Sequence, residues 1–567
     1  MRYNRVKMMA LLLGAGLSVA TLCTACGGTG NTASGGSGVQ TVANASEINL
    51  SEAGDTLKIT KGGSYTLTGT MESGTIVVDA EDEDVELILD GVTINSDAGV
   101  AIYVEKAEAV TITLADGSVN TITTEGIYSD EKIDAAIFAK CDLTLDGTGT
   151  LNVTAANCDA IYSKKELTVL DGTYNIQTAD GAVEVKTGSD DFGGRGGFGG
   201  HGTWNQGTDQ SGNTADKSKF DKGSFDKGNR SDREGMTRPE GGQMPEGMTP
   251  PEGGQMPEGM TPPEGDQMPE GMALPEEGQM PDMQAVESQD TTGAEDTDDT
   301  SLKGLKAKKG IVIAGGVLNI NTEDDAIHSN GELTIHGGTI NIETGDDGIH
   351  AESDLVISAG TINVAKCYEG IEGLTITVDG GDITLVSNDD GMNAANPDGS
   401  SGMGSDDSCK ITINGGNIYI DASGDGIDSN GDLEINGGNV YIMGPADGAN
   451  AAVDYGDGAK FVITGGELLA LGNSNMAENA SNGSTQSIFL ATLSENATGT
   501  ITIMDAEGNV LCTYENAKQY NSVLYSSEKL TVGETYTITA GSSTTEVTME
   551  DTVTGQAAGG MGGFMRH

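Results

Sequence analysis

An acidic residue followed by a small one and an apolar strand returns about every 22 residues through much of this chain. The copies are Asp159-Ala160-Ile161, Asp180-Gly181-Ala182, Asp325-Ala326-Ile327, Asp347-Gly348-Ile349, Glu369-Gly370-Ile371, Asp390-Gly391-Met392, Asp425-Gly426-Ile427 and Asp447-Gly448-Ala449, at intervals of 21, 145, 22, 22, 21, 35 and 22. Between them run stretches such as Leu333-Thr334-Ile335 and Thr339-Ile340-Asn341-Ile342, whose alternation marks strands with one buried face. Glycine pairs such as Gly337-Gly338, Gly415-Gly416 and Gly437-Gly438 permit the positive φ of a sharp corner. A unit this short cannot bury its apolar face alone and must stack on its neighbours. The expected fold is all-β, a right-handed parallel β-helix. Leucine-rich repeats are excluded by the missing Leu-x-x-Leu-x-Leu framework, and sandwiches by the acid held at a fixed phase.

The irregular intervals mark insertions. Thirteen surplus residues between Asp390 and Asp425 match Asn396 to Ser408, a run of turn formers. The 145-residue interval holds one rung plus about 123 residues of different composition, including a 12-residue Met/Pro/Glu/Gly repeat that starts at Gln243, Gln255, Gln267 and Gln279. Proline blocks sheet pairing and apolar mass is too low for a core, so residues 188–308 are expected to be a disordered insertion. Its methionines offer soft ligands for Cu(I), a reading weaker than that of a spacer. The coil then divides into residues 40–187 and 309–471. Residues 472–556 lose the period and read as a small antiparallel β module covering the far end, and 557–567 as a flexible tail.

The N-terminus carries Arg2, Arg5 and Lys7, then an apolar run to Ala20 and Leu22-Cys23-Thr24-Ala25-Cys26. This reads as a lipoprotein signal peptide over 1–25 with Cys26 as the lipidated residue, although Cys23 stands where such boxes usually carry Leu. Residues 26–39 form a tether. A lipid-anchored protein on the extracellular face of the cell membrane is expected; simple secretion is the alternative. Cys141, Cys158, Cys367, Cys409 and Cys512 fit no thiolate metal site. Buried free thiols are expected, with a Cys141–Cys158 disulfide left open.

Lys+Arg 29 against Asp+Glu 87 gives a net charge of −58. That excludes nucleic acid and anionic lipid headgroups as simple electrostatic partners and makes metal cations the natural counter-charge. Stacked rungs place equivalent residues ~4.8 Å apart. Two carboxylates at that distance repel by roughly 3–4 kcal/mol at an effective dielectric near 20. Either their pKa values rise or cations lie between them. Calcium suits the second solution, because it takes six to eight oxygens in irregular geometry. The candidate ligands are Asp324, Asp325, Asp346, Asp347, Glu369, Asp389, Asp390, Asp425, Asp428 and Asp447. An Asp-Gly corner that caps its own backbone explains single aspartates, but not the doublets at Asp324, Asp346 and Asp389. His328 and His350 follow their acids by three residues and read chiefly as outward polar positions.

These features together resemble the bacterial carbohydrate-binding-domain family of clostridial cell-surface proteins, formerly a domain of unknown function. The carriers are the lipobox, the Asp-Gly-Ile rungs, the Gly-Gly corners, the Gly/Met/Pro insertion and the ending from Ser487-Ile488-Phe489-Leu490 to Tyr536-Thr537-Ile538. The characterised member is a calcium-containing β-helix, similar in fold to pectate lyases, that binds cellulose and acidic pectin-type sugars. The resemblance implies a surface polysaccharide-binding protein with calcium on the Asp doublets. A monomer is expected. Tyr419 and Tyr441 offer stacking faces for sugar rings, although strand tyrosines more often only pack. No catalytic residue is assigned; a calcium-dependent polysaccharide lyase is the enzymatic alternative, with Lys366 as its best base, and a structural adhesin stalk is the third reading.

Overall fold

The computed structural model describes residues 38–44, 46–97, 99–126, 133–178, 185, 301–397, 399 and 405–555. The expected leader, Cys26, most of the tether, the corner at Asp180, the Met/Pro repeat and the tail from 557 lie outside the described residues.

The described chain is all-β apart from one short 3-10 turn, Leu50–Glu52. Most strands pair in parallel with the equivalent strand one turn further on. Ile327 lies opposite Ile349, Leu333 opposite Leu355 and Ile340 opposite Ile362. Three strand positions thus make one turn, joined by short corners. Successive turns stack from Val39–Val42, paired with Thr56–Ile59, to Asn439–Met443, paired with Glu467–Gly472.

Alternation explains the core. Ile311, Leu333, Leu355, Ile376, Ile411, Leu433 and Phe461 occupy one inward file, each almost wholly buried. Burying such a side chain stabilises the fold by about 1.5–3 kcal/mol. Corners are tight because one turn lies directly on the next. Gly338 has φ +93°, and a Cβ there would lie 3.0 Å from the carbonyl oxygens of Gly315 and Gly316. In Asp390-Gly391, a Cβ on Gly391 would lie 2.5 Å from the carbonyl oxygen of Gly426. That crowding is why glycine so often follows the acid.

The coil resumes earlier than the composition suggests. Leu305–Ala307, expected inside the insertion, is a strand between Asp159–Ser163 and Ile327–Ser329. Its three residues, flanked by lysines, are too short to display alternation. The place one turn after Asp159 is consequently held by Lys303, whose carbonyl accepts from Ala160 N–H at 2.9 Å.

Beyond Glu467–Gly472 the pairing turns antiparallel. That strand pairs with Val510–Ser526, which pairs with Ile488–Met504, and Thr535–Ala540 and Ser543–Thr548 complete the arrangement. A second apolar cluster, built on Leu469, Phe489, Val523, Tyr525 and Ile538, fills this end. Cys141, Cys158, Cys367, Cys409 and Cys512 are buried free thiols.

Candidate functional site

The repeating acids fall into a single file at one corner of the coil. The residue after each acid donates its N–H to the carbonyl of the next file member, linking Asp159, Lys303, Asp325, Asp347, Glu369, Asp390, Asp425 and Ala451 in order. Three residues on, the strand that leaves the corner carries a second file: Tyr162, Lys306, His328, His350, Glu372, Asn393, Asp428 and Asp454. The two files make one stripe along the coil.

One oxygen of each aspartate fastens the next corner. Asp159 Oδ1 accepts from Lys303 N–H at 2.8 Å, Asp325 Oδ1 from Asp347 N–H at 3.2 Å and Asp347 Oδ1 from Glu369 N–H at 3.3 Å. Asp390 Oδ1 accepts from Asp425 N–H at 2.6 Å, and Asp425 Oδ1 from Ala451 N–H. The corner-capping role and the charge-bearing role are therefore divided between two atoms of one side chain. The second oxygens of Asp325 and Asp347 face cationic groups across the stripe.

The balance of charge in the stripe changes along its length. In its first part the chain supplies its own cations. Lys303 Nζ lies 2.8 Å from Asp324 Oδ1 and 2.9 Å from Asp325 Oδ2. Lys306 Nζ lies 3.7 Å from Asp159 Oδ2. His328 Nδ1 is 2.8 Å from Asp325 Oδ2, but burial lowers its pKa and it acts as a neutral partner, while His350 Nδ1 is 3.3 Å from Asp347 Oδ2 and 3.1 Å from Glu372 Oε2. Burial opposes the Lys303 ammonium, but Asp325 and Asp324 outweigh it and hold its pKa well above the ordinary value. Burial likewise opposes the Asp325 carboxylate, and Lys303 followed by His328 holds it well below the usual range. His350, desolvated yet facing Glu372 and Asp347, is pushed up to about 10.

In the second part the acids face one another. Among the described residues, no lysine, arginine or histidine is ion-paired with Glu369, Asp390, Asp425 or Asp428. Burial and then Glu372 raise Glu369 well above its ordinary pKa. Burial and then Asp425 do the same to Asp390, and burial and then Asp428 to Asp425. Asp428 is pushed up to about 7 by burial and by Asp454. Asp390, Asp425 and Asp428 each bring a carboxylate oxygen within 4.8 Å of the others, and Asp389 is hydrogen-bonded by Tyr368.

A neutral group points the same way. Asn393, 5% exposed, stands in the second file between Glu372 and Asp428. Its Nδ2 donates to Glu369 Oε2 at 3.0 Å, but its Oδ1 is buried without a donor. An orphaned amide oxygen costs roughly 1–3 kcal/mol, and a cation satisfies it. Carboxylates plus one amide oxygen, with no nitrogen or sulfur donor in the group, form a hard set of the kind calcium takes. Glu369, Asp389, Asp390, Asn393, Asp425 and Asp428 are the residues that fit such an ion.

Other expected site residues are placed differently. Asp447 is not in the file: it lies in an exposed turn, where its Oδ1 accepts from Ala449 N–H at 3.0 Å. Ile427 pairs with Val453, so this turn is 26 residues long rather than 22, and Ala451 takes the place expected for Asp447. Asp324 and Asp346 flank the file, within 4.8 Å of Asp325, where Lys303 already supplies a positive charge. Lys366 lies on Thr361–Cys367, level with Glu343, in neither file. Sequence reasoning missed Lys303 and Lys306 because they sit at the edge of the insertion, and Asp454 because the longer turn moved its phase.

Tyr419 and Tyr441 occupy a different sheet. Their rings stack with centroids 5.5 Å apart and planes at 13°. Tyr514, from Val510–Ser526, stacks on Tyr441 at 5.3 Å and 5°. Tyr441 thus has both faces covered, and the expectation that it offers a free face to sugar is corrected.

The sequence model of the carbohydrate-binding domain-containing protein family matches residues 53–192, 273–348 and 346–563. A relative described as a carbohydrate-binding domain-containing protein, from Acetivibrio thermocellus, is 33% identical over 184 residues, which is 30% of this chain and 64% of the relative. The match thus spans less than two thirds of the relative's length. A solved polysaccharide lyase-like protein from C. thermocellum, studied as a gadolinium derivative, aligns with 58% of this chain and 84% of its own at 21% identity and a TM-score of 0.30, a likeness too loose to bear on function. On the breadth of the sequence match, the chain belongs to the carbohydrate-binding domain-containing protein family.

Proposed function

We propose that this protein binds polysaccharide without transforming it, at the outer surface of a bacterial cell, and that calcium occupies the acidic half of the stripe. Family membership supports the polysaccharide. The observation that carries the calcium is the buried, donorless Asn393 Oδ1 set among carboxylates whose pKa values are raised by burial and by one another. A dication there removes the mutual repulsion and leaves outward coordination positions for a carboxylate of an acidic glycan, which lets a chain of charge −58 hold an acidic polymer. A right-handed coil is the sense expected of parallel crossovers, and anchoring through Cys26 places the stripe outside the membrane.

Retention on polygalacturonate and on insoluble cellulose, measured with calcium and after chelation, tests this reading. Calcium-dependent retention on polygalacturonate is expected. Equal retention with and without chelator removes the calcium bridge, and no retention on either polymer removes the polysaccharide.

A further inference from the structure

The sheet that carries Tyr419 has an outward file that changes character abruptly. Asn152, Asn175, Asn319 and Asn341 form an amide ladder, each Nδ2 donating to the preceding Oδ1 at 2.8, 2.8 and 2.9 Å. Asn363 and Thr384 follow, and the next place is Tyr419. The step from a threonine to a tyrosine makes a floor meet a wall.

The stacking fixes the direction in which that wall faces. Tyr419, Tyr441 and Tyr514 succeed one another with nearly parallel planes, and the 5.5 Å spacing of the first two is close to the ~4.8 Å rise of one rung. The rings therefore stand across the coil axis. Tyr441 is sandwiched, whereas the outer face of Tyr419 looks over Thr384, whose short side chain leaves the ring 41% exposed. The wall is braced before any ligand arrives, because Tyr441 Oη donates to Glu467 Oε1 at 3.1 Å. Lys518, on the same strand as Tyr514, is paired with Asp421 and donates to the Met443 carbonyl at 3.1 Å.

We infer that Tyr419 and Thr384 form a ledge for one neutral pyranose ring of a polysaccharide, with the glycan chain crossing the coil rather than running along it. This inference rests on the polysaccharide-binding reading. The axial C–H face of a pyranose is apolar and weakly positive, which complements the negative face of an aromatic ring. Val386, 40% exposed on the floor strand, extends the apolar surface. Asp382 and Asp421 flank the ledge on the two strands; Asp421 is compensated by Lys518, whereas Asp382, which accepts from Asn417 Nδ2 at 2.7 Å, accepts hydroxyl hydrogens and repels a uronate, so the ring it takes is uncharged. A sugar lying parallel to the Tyr419 ring has its linked neighbours in the same plane, across the axis.

The test uses the full chain, hydroxyethyl cellulose as the neutral β-glucan and polygalacturonate as the acidic polymer, with thermal melting to confirm folding. Tyr419→Ala and Thr384→Trp are expected to weaken retention by the neutral glucan about tenfold at an unchanged melting temperature. Asn341→Trp, two turns away along the axis, leaves that retention as it was if the chain crosses. A block by Asn341→Trp as strong as that by Thr384→Trp overturns the crossing direction. Undiminished retention of folded Tyr419→Ala and Thr384→Trp overturns the ledge and leaves polysaccharide binding standing. Retention of the wild type by polygalacturonate alone overturns the neutral ring, and retention by neither polymer overturns both readings.

Discussion

The Lys303 ammonium lies 2.9 Å from Asp325 Oδ2, buried in the stripe, and Lys303 holds the position in the file where every other turn from Asp159 to Asp425 places an acid. One residue of the chain thus does for the first half of the stripe what the proposed calcium would do for the second. The two halves should respond differently to charge removal, to pH and to chelation.

Replacing Lys303 with Met removes the ammonium shared by Asp324 and Asp325 and leaves Asp325 only His328 at 2.8 Å and His350 at 3.9 Å. Breaking a buried pair of this kind costs about 3–5 kcal/mol. Urea unfolding at pH 7 should show a loss of that order, and Lys303→Met/Asp325→Asn should lose less than the sum of the single changes. Calcium should recover part of the loss in Lys303→Met, because the vacated place is bounded by oxygens. A loss under about 1 kcal/mol would contradict the assignment of Lys303 as the internal cation.

Without calcium, the protein should weaken as pH rises. Asp428 has its folded pKa raised from 3.8 to about 7 by burial and then by Asp454. A carboxyl raised in this way lends its full contribution below its unfolded pKa and loses it as pH climbs through the folded value. Between pH 5 and pH 8 the chelated protein should therefore lose on the order of a few kcal/mol. The raised pKa of His350 acts in the same direction but chiefly between its ordinary 6.5 and about 10. Thermal melts over that range, with and without calcium, check this: calcium should restore stability strongly at pH 8 and little at pH 5. A chelated protein more stable at pH 8 than at pH 5 would sink the account of the acidic half.

Asn393→Leu separates the ion from the fold. The change removes the donorless Oδ1 and the hydrogen bond to Glu369, so stability in chelator at pH 5 should move by no more than about 1 kcal/mol. Calcium affinity, read by calorimetry, should fall about tenfold or more. Unchanged affinity would show that the amide oxygen does not face the ion.

Lys518 joins the antiparallel end to the coil, donating to the carbonyls of Ala422 and Met443 while pairing with Asp421. Lys518→Met should leave both carbonyls without this donor and cost about 1–3 kcal/mol. Proteolysis should then open the region after Gly472 before the coil. Simultaneous loss of both regions would mean that this contact is not what couples them.

Much of the coil is legible in the sequence because its two requirements are local. Alternating Leu and Ile on either side of Thr334 and Asn341 set the inward files, and glycines such as Gly338 and Gly391 stand where backbone packs on backbone. What escaped is whatever breaks the period. Asp447 is one repeat past Asp425, but the corner around Pro445 is longer by four residues, so Ala451 inherits the place. Lys303 carries the opposite charge to its file and borders the insertion, so no pattern of acids reveals it. Tyr419 and Tyr441 are 22 residues apart, and that spacing is a signature of rings stacked on each other before it is one of rings free for a ligand. Tyr514 comes from antiparallel strands whose contacts follow no repeat.

The division of the stripe is tested most directly by calcium calorimetry at pH 8 on the chelator-stripped protein and on Asp428→Asn and Asp325→Asn. The account predicts that the wild type binds calcium, that Asp428→Asn loses at least one site or most of its affinity, and that Asp325→Asn keeps the wild-type isotherm because Lys303, not calcium, answers the charge of Asp325. A wild type that takes up no calcium, or a loss seen in Asp325→Asn but not in Asp428→Asn, would contradict it.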